Sequence, residues 1–202
     1  MKSNKFFICV VLMVALVIAG FNCVRAIYGE ELEIYNKTLR LHIPANSDGE
    51  EDQELKLKVR DAVIELLKKP LSQCETKEDA VRVANDMKSE IERVSDRVIS
   101  DNGRDYKAVV AITEEYYPRR EYEGITLPAG TYTSVKIELG KADGKNWWCV
   151  LFPQVCTGTA RADEVLADVG FTAKQIRFLT DGEECEYVVK FKILEILESI
   201  FG

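Results

Sequence analysis

The only histidine of the chain, His42, is the first residue to consider for catalysis. Imidazole acts as a general base near neutral pH, but it needs a nucleophile and an orienting group within hydrogen-bonding reach. Ser47 and Asp48 are close in sequence, yet they are adjacent to one another and cannot both flank one imidazole in relay order. The catalytic hypothesis that remains is a hydrolase that uses His42 with Cys149 or Asp48.

Two cysteines in an apolar segment, Cys149 and Cys156, allow three interpretations. Together with His42 they supply three metal ligands, but no residue is specified as a fourth. As a nucleophile, either thiol would have to be a thiolate, which requires electropositive surroundings that the sequence does not display. In an oxidising compartment the pair could form a disulfide, with free thiols as the alternative. We therefore predict no metal, no cofactor and no catalytic residue, and we retain a possible Cys149–Cys156 disulfide.

The segment around His42 predicts a strand, a tight turn and a helix. Residues 38–43 alternate apolar and polar side chains, which is typical of a half-buried strand with His42 on its polar side. Pro44 is expected to end the strand, since proline cannot donate to a sheet ladder. Ser47 and Glu50 have the spacing of a capping box, which predicts the start of a helix.

The rest of the chain predicts further helices and strands around one core. A second capping box, Thr76 with Asp79, begins a helix whose apolar spacing continues to residue 98. The other predicted features are strands at 106–113 and 132–139, a hairpin arm or exposed loop at 114–124, an apolar segment at 146–156, and a closing helix at 186–201. Together they indicate an α+β domain, a small mixed or antiparallel sheet with helices packed against it.

The first 26 residues differ in composition from the rest. Lys2 and Lys5 precede an uncharged apolar run at 6–21, which is typical of a signal peptide. We predict that residues 1–26 are a signal peptide, or an N-terminal membrane anchor if it is not cleaved. In either case, residues 1–26 would interact with the membrane during export. Residues 27–202 would form a single exported domain, beginning with a solvated lead-in at 27–36.

The charge of the chain indicates which partners are unsuitable. The net charge is −7, and removal of residues 1–26 takes away three basic residues and no acidic one, which leaves −10. Nucleic acids and anionic lipids attract clustered lysine and arginine. We therefore predict that the exported domain does not bind nucleic acid.

Two segments are specific enough to indicate a family. They are LRLHIPANSDGEEDQELKLKVRDAV at residues 39–63 and NWWCVLFPQVC at residues 146–156. Both resemble stage II sporulation protein R of endospore-forming bacteria. The N-terminal export segment and a Gly-x-Tyr motif before a strand, Gly130 to Tyr132, also fit. The resemblance covers nearly the whole exported domain.

This resemblance implies a signalling protein rather than an enzyme. Members are made in the forespore and exported across its membrane into the space between the two sporulation membranes. There they activate a membrane-embedded aspartic protease of the mother cell, which cleaves the inactive precursor of sigma factor E. An extracytoplasmic structural protein is a further alternative. The family supplies no catalytic residues that could be transferred to this chain. The matched motif positions are therefore candidates for binding the partner: His42, Asn46, Ser47, Asp48, Trp147 and Trp148.

Overall fold

A computed structural model describes residues 2–122, 124–155 and 162–180. The helix predicted at 186–201, and Cys156 with its possible disulfide, lie outside the described residues. The helices are α1 (Lys2–Asn36), α2 (Glu50–Leu71), α3 (Lys77–Asp86), α4 (Lys88–Asp101), α5 (Ala162–Asp168) and α6 (Ala173–Thr180). The strands are β1 (Leu39–Pro44), β2 (Ala108–Tyr117), β3 (Arg120–Tyr122), β4 (Ile125–Leu127), β5 (Gly130–Leu139) and β6 (Asn146–Phe152). The predicted α+β class is confirmed.

Within the described residues, the main sheet is mixed and has four strands in the order β2-β5-β1-β6. Strand β1 runs parallel to β5, with Leu41 opposite Val135, and antiparallel to β6, with His42 opposite Trp148. Strand β2 pairs antiparallel with β5 along its whole length. Strands β3 and β4 form a separate hairpin. The predicted small mixed sheet is therefore confirmed.

Strand β1 occupies the interior of this sheet, and all six of its residues are buried. The prediction of a half-buried strand is wrong, because side chains cover both faces. Leu39, Leu41 and Ile43 pack against the helices. Arg40 and His42 lie on the opposite face and are buried as well. Alternation of apolar and polar residues indicated the two faces correctly, but it did not show that the polar face is covered.

The core has two parts, one on each face of the sheet. The larger part lies between the sheet and helices α2, α3 and α4, and it includes Val59, Val63, Ile91, Val135 and Leu151. The smaller part is formed by the end of α1, the β3–β4 hairpin and helices α5 and α6; its buried members are Ile34, Ile125, Leu127, Val150, Leu166, Phe171 and Leu179. Burial of apolar area on both faces, at about 25 cal/mol per Å², holds the sheet between two layers.

The helix boundaries differ from the prediction in two places. Helix α2 begins after Gly49, which makes no side-chain cap, so the predicted Ser47–Glu50 capping box is wrong. The Thr76–Asp79 capping box is confirmed, but the helix that it begins is interrupted at Met87, where α3 ends and α4 starts. Apolar spacing is kept across this break, with Ala84 and Ile91 both buried, so the sequence pattern does not reveal it.

The end of α1 packs against the domain, so the predicted solvated lead-in is wrong for its last turn. Ile34 is buried, and the Tyr35 hydroxyl donates to the Ala129 carbonyl at 2.9 Å. A Cβ atom on Gly130 would overlap the Tyr35 ring, which explains the glycine of the Gly-x-Tyr motif. Within the described residues, no helix combines the length and the apolar content needed to cross a membrane. The signal peptide or anchor at 1–26 stays a prediction.

Candidate functional site

The pairing of β1 with β6 brings the two segments of the family resemblance together. His42 and Trp148 are register partners, and their rings stack with centroids 3.8 Å apart and planes at 11°. The Tyr117 ring meets Trp148 edge-on at 4.5 Å. Stacked and edge-to-face aromatic pairs add about 0.5–1.5 kcal/mol beyond the area that they bury. Two segments that are far apart in sequence thus form one aromatic site, on the face of the sheet opposite helices α2, α3 and α4.

Polar groups hold the imidazole of His42 at both ring nitrogens. Nδ1 lies 3.1 Å from both carboxylate oxygens of Glu115, and Nε2 lies 2.8 Å from Asn146 Oδ1. Lys136 Nζ is 3.6 Å from Glu115 Oε1 and 2.8 Å from Glu138 Oε1. The hydrogen bond with Glu138, followed by the charges of Glu138 and Glu115, raises the pKa of Lys136. We call His42, Glu115, Lys136, Asn146 and Trp148 the histidine patch.

The histidine patch does not assemble the hydrolase that the sequence left open. The ring nitrogens of His42 face the side-chain oxygens of Glu115 and Asn146, not the candidate partners Cys149 and Asp48. Cys149 belongs to the core on the helix side of the sheet, while His42 lies on the other side. Asp48 accepts a hydrogen bond from the Lys145 backbone N–H at 2.7 Å rather than contacting the imidazole. Among the described residues, no group of three or more His, Cys, Asp or Glu could hold a metal ion.

The Asn46-Ser47-Asp48 corner is fastened to the domain by internal hydrogen bonds. Asn46 Nδ2 and Ser47 Oγ donate to the Asp52 carboxylate at 2.8 and 2.6 Å, and the Tyr106 hydroxyl donates to it at 2.9 Å. Burial raises the pKa of Asp52, but hydrogen bonds from Ser47, Asn46 and Tyr106 and the charge of Arg104 outweigh that effect, so the pKa is lowered. The side chains of Asn46 and Ser47 thus point inward to Asp52, whereas Asp48 is exposed.

Replacing Gly144 with alanine should destabilise this corner. A Cβ atom there would overlap the Ser47 carbonyl, which is backbone and cannot move away cheaply. We expect the free energy of unfolding to fall by about 2 kcal/mol, as for an overpacked core site. Gly49→Ala is the control, since its Cβ would meet only the Ser47 hydroxyl at 3.3 Å. Urea unfolding measures both, and equal stabilities would contradict the close approach.

The two neighbouring tryptophans lie on opposite faces of the sheet. Trp147 packs against the core beneath the helices, and the Arg60 guanidinium lies 4.4 Å from its ring centroid. Its buried Nε1 has no hydrogen-bond partner in the described part of the chain. Trp148 instead joins His42, with the Arg120 guanidinium 5.9 Å from its ring centroid. Of the two predicted partner-binding tryptophans, only Trp148 is part of the histidine patch.

A fully buried arginine lies next to the histidine patch. The Arg40 guanidinium is 4.1 Å from the Tyr117 ring centroid, 4.8 Å from that of Tyr132 and 5.4 Å from that of Tyr122. Arg40 Nη2 donates to the Tyr122 hydroxyl, while Nε and Nη1 have no partner among the described residues. Burial raises the pKa of both Tyr117 and Tyr132, so their hydroxyls stay neutral. The cation is thus stabilised by ring faces rather than by a carboxylate in the described structure.

Comparison with known proteins assigns the chain to a family. Residues 35–162 match the family model described as stage II sporulation protein R. The chain is also 31% identical over 188 residues to stage II sporulation protein R of Bacillus subtilis (strain 168), with 84% of each chain covered. The chain belongs to the stage II sporulation protein R family. No solved structure matches it.

The stage II sporulation protein R match runs from the last turn of α1 to the start of α5, so it includes every strand of both sheets. Both the histidine patch and the arginine with its tyrosines therefore lie inside the part of the chain that defines the family. Of the four candidates from the first segment, His42 lies in β1, and Asn46, Ser47 and Asp48 lie in the turn just after it.

Several residues of this site were not identified from the sequence. Glu115 and Tyr117 were placed in a hairpin arm or exposed loop, whereas β2 continues through both of them. The two-residue alternation that begins at Val109 extends to Tyr117, and this signal could have placed them on the His42 face. A half-buried strand at 38–43 would put Arg40 beside His42 on the polar side, and only tertiary contacts reveal that it is fully buried, which is rare for arginine.

Proposed function

We propose that this protein is an exported sporulation signal that activates a membrane-embedded aspartic protease. Acting in the space between the two sporulation membranes, it binds the extracytoplasmic part of the protease made in the mother cell. The protease then cleaves the inactive precursor of sigma factor E. In this proposal the protein acts as an activator and carries out no chemistry of its own.

Besides the family membership, the proposal is supported by the pairing of β1 with β6. The two segments that resemble stage II sporulation protein R most specifically are far apart in sequence, yet β1 and β6 pair and place His42 on Trp148. Trp148 is half-buried and Asn146 is exposed, so part of the histidine patch reaches the surface. Aromatic residues surrounded by polar groups are characteristic of the energetically dominant residues in protein interfaces. This geometry suits recognition of a protein partner better than it suits catalysis.

Reconstitution tests the proposal directly. The full chain, the protease and the sigma factor precursor are produced together in a host that does not sporulate, and precursor cleavage is followed with time. Cleavage is expected only when all three proteins are present. Unprocessed precursor in the presence of folded protein and protease would refute the proposal.

Trp148 and Trp147 provide a matched pair of variants in the same assay. Trp148→Ala should raise the amount of protein needed for half-maximal cleavage by about tenfold, because an interface aromatic is lost. Trp147→Ala should leave that amount within about twofold but reduce stability, because a half-buried core side chain is truncated. Thermal unfolding verifies that each variant is folded at the assay temperature. The reverse pattern would place the interface on the helix side of the sheet.

A further inference from the structure

One half of the outer edge of strand β2 is closed by helix α4. The Ala108 backbone N–H donates to Asp96 Oδ1 at 2.9 Å, and the Val110 N–H donates to Glu92 Oε1 at 3.3 Å. These two N–H groups therefore point away from β5. Since backbone direction alternates along a strand, the N–H and C=O groups of Ile112, Glu114 and Tyr116 point the same way.

The other half of this edge, from Ile112 to Tyr116, is not covered by any of the described residues. Helix α4 begins at Lys88, one turn before Glu92, and in the described part of the chain no side chain accepts a hydrogen bond from the edge beyond Val110. In the described part of the chain, β2 pairs with β5 alone, and the outward N–H groups of Ile112, Glu114 and Tyr116 have no partner. Tyr116 is 68% exposed. An open edge of this kind is a template for adding another strand.

We propose that the Ile112–Tyr116 edge of β2 binds an extended segment of the partner protein as an additional antiparallel or parallel strand. This inference rests on the proposed function, because the partner is the protease that the protein is proposed to activate. Main-chain hydrogen bonds supply affinity in this mode of recognition, and alternate side chains supply specificity. Glu115 of the histidine patch lies within the same segment, so an added strand would lie beside the patch.

The side chains of Glu114 and Tyr116 indicate which residues would suit the added strand. The Glu114 side chain is exposed and lies on the face of the sheet that carries the helices. There its Oε1 accepts a hydrogen bond from Thr133 Oγ1 at 2.6 Å. A lysine or arginine opposite Glu114 and an aromatic or β-branched residue beside Tyr116 would be favourable cross-strand neighbours. A second copy of the chain fits less well, because antiparallel pairing over the whole segment places Glu114 opposite its own copy.

Proline at position 114 tests the edge without breaking the sheet. The Glu114 N–H points outward, so Glu114→Pro leaves the β2–β5 ladder intact while it removes a donor to the added strand. In the reconstituted cleavage assay we expect Glu114→Pro to need about tenfold more protein than wild type, because it loses a hydrogen bond and places a ring against the partner. Glu114→Gln is the control for the lost charge and should have a smaller effect.

The outcomes separate this inference from the proposed function. Absence of cleavage with the wild-type chain refutes the proposed function itself. Cleavage that is equal for wild type and a folded Glu114→Pro variant overturns the edge inference and leaves the function standing. Amide hydrogen exchange of the wild-type protein alone provides a second test, which does not depend on whether a variant folds. Rapid exchange at Ile112, Glu114 and Tyr116 is expected, and slow exchange there would overturn the inference, because the chain itself or a second copy would already cover the edge.

Discussion

Replacing Asp52 with alanine is expected to lower the free energy of unfolding by about 3–5 kcal/mol. The carboxylate accepts hydrogen bonds from Asn46, Ser47 and Tyr106, and each bond to a charged acceptor is worth about 1.5–3 kcal/mol. Their loss would leave three donors unsatisfied at a site where Asp52 is only 7% exposed. Asp52→Asn keeps the size and one acceptor oxygen, so it should cost about half as much. Urea unfolding at pH 6 measures both changes.

The same carboxylate should make stability depend on pH. The pKa of Asp52 is lowered in the folded protein, so its contribution is fully present above the unfolded pKa of about 3.9 and is lost as the pH falls below that value. The difference in stability between wild type and Asp52→Asn should therefore shrink between pH 6 and pH 3. A constant difference over that range would show that the hydrogen bonds do not favour the ionised form.

Arg40→Lys is expected to destabilise the protein by about 3 kcal/mol, whereas Arg40→Met should cost less than about 1 kcal/mol. The guanidinium is fully buried and stacks on the rings of Tyr117, Tyr132 and Tyr122. Lysine keeps the buried charge, but its ammonium is strongly hydrated in water and cannot stack as a plane. Methionine keeps the length and the ring contacts while it removes the cost of burying a charge.

Thermal and urea unfolding measure whether Arg40→Met is more stable than Arg40→Lys. Greater stability for lysine than for methionine would contradict it, since that result requires a carboxylate that compensates the positive charge. Arg40→Ala is a useful reference, because it removes both the charge and the ring contacts. We expect it to be at least as harmful as Arg40→Lys, by about 3–5 kcal/mol, because it leaves a cavity among three aromatic rings.

Local patterns were sufficient to predict the fold class and the positions of several elements. The Thr76–Asp79 capping box marks a real helix start, and the alternation at 132–139 marks β5, because both signals depend on residues close in sequence. A local signal also lies at the end of α4, where Gly103 adopts a positive φ of 72° just beyond the helix. The failures came where tertiary contacts replaced a local interaction. Ser47 bonds to Asp52 instead of capping α2.

The candidate site could be predicted only in part, for the same reason. The resemblance singled out His42 and Trp148, but it did not show that they are partners across two paired strands. It also treated Trp147 and Trp148 alike, although strand geometry directs neighbouring side chains to opposite faces. Glu115 reaches His42 from a different strand, and no spacing in the sequence encodes that contact. Partner binding by these positions stays a prediction, and Trp148→Ala compared with Trp147→Ala tests it for the two tryptophans.

The position of β1 in the sheet has a consequence for the order in which the domain is assembled. This strand is among the first parts of the domain to be synthesised, yet its neighbours β5 and β6 begin at Gly130 and Asn146. The centre of the sheet therefore cannot form until nearly all of the strand-bearing chain has emerged, and contacts so distant in sequence are slow to form. A nascent chain must keep the apolar face of β1 from premature association during that interval. A chain interrupted before Asn146 would leave one side of β1 without its neighbour.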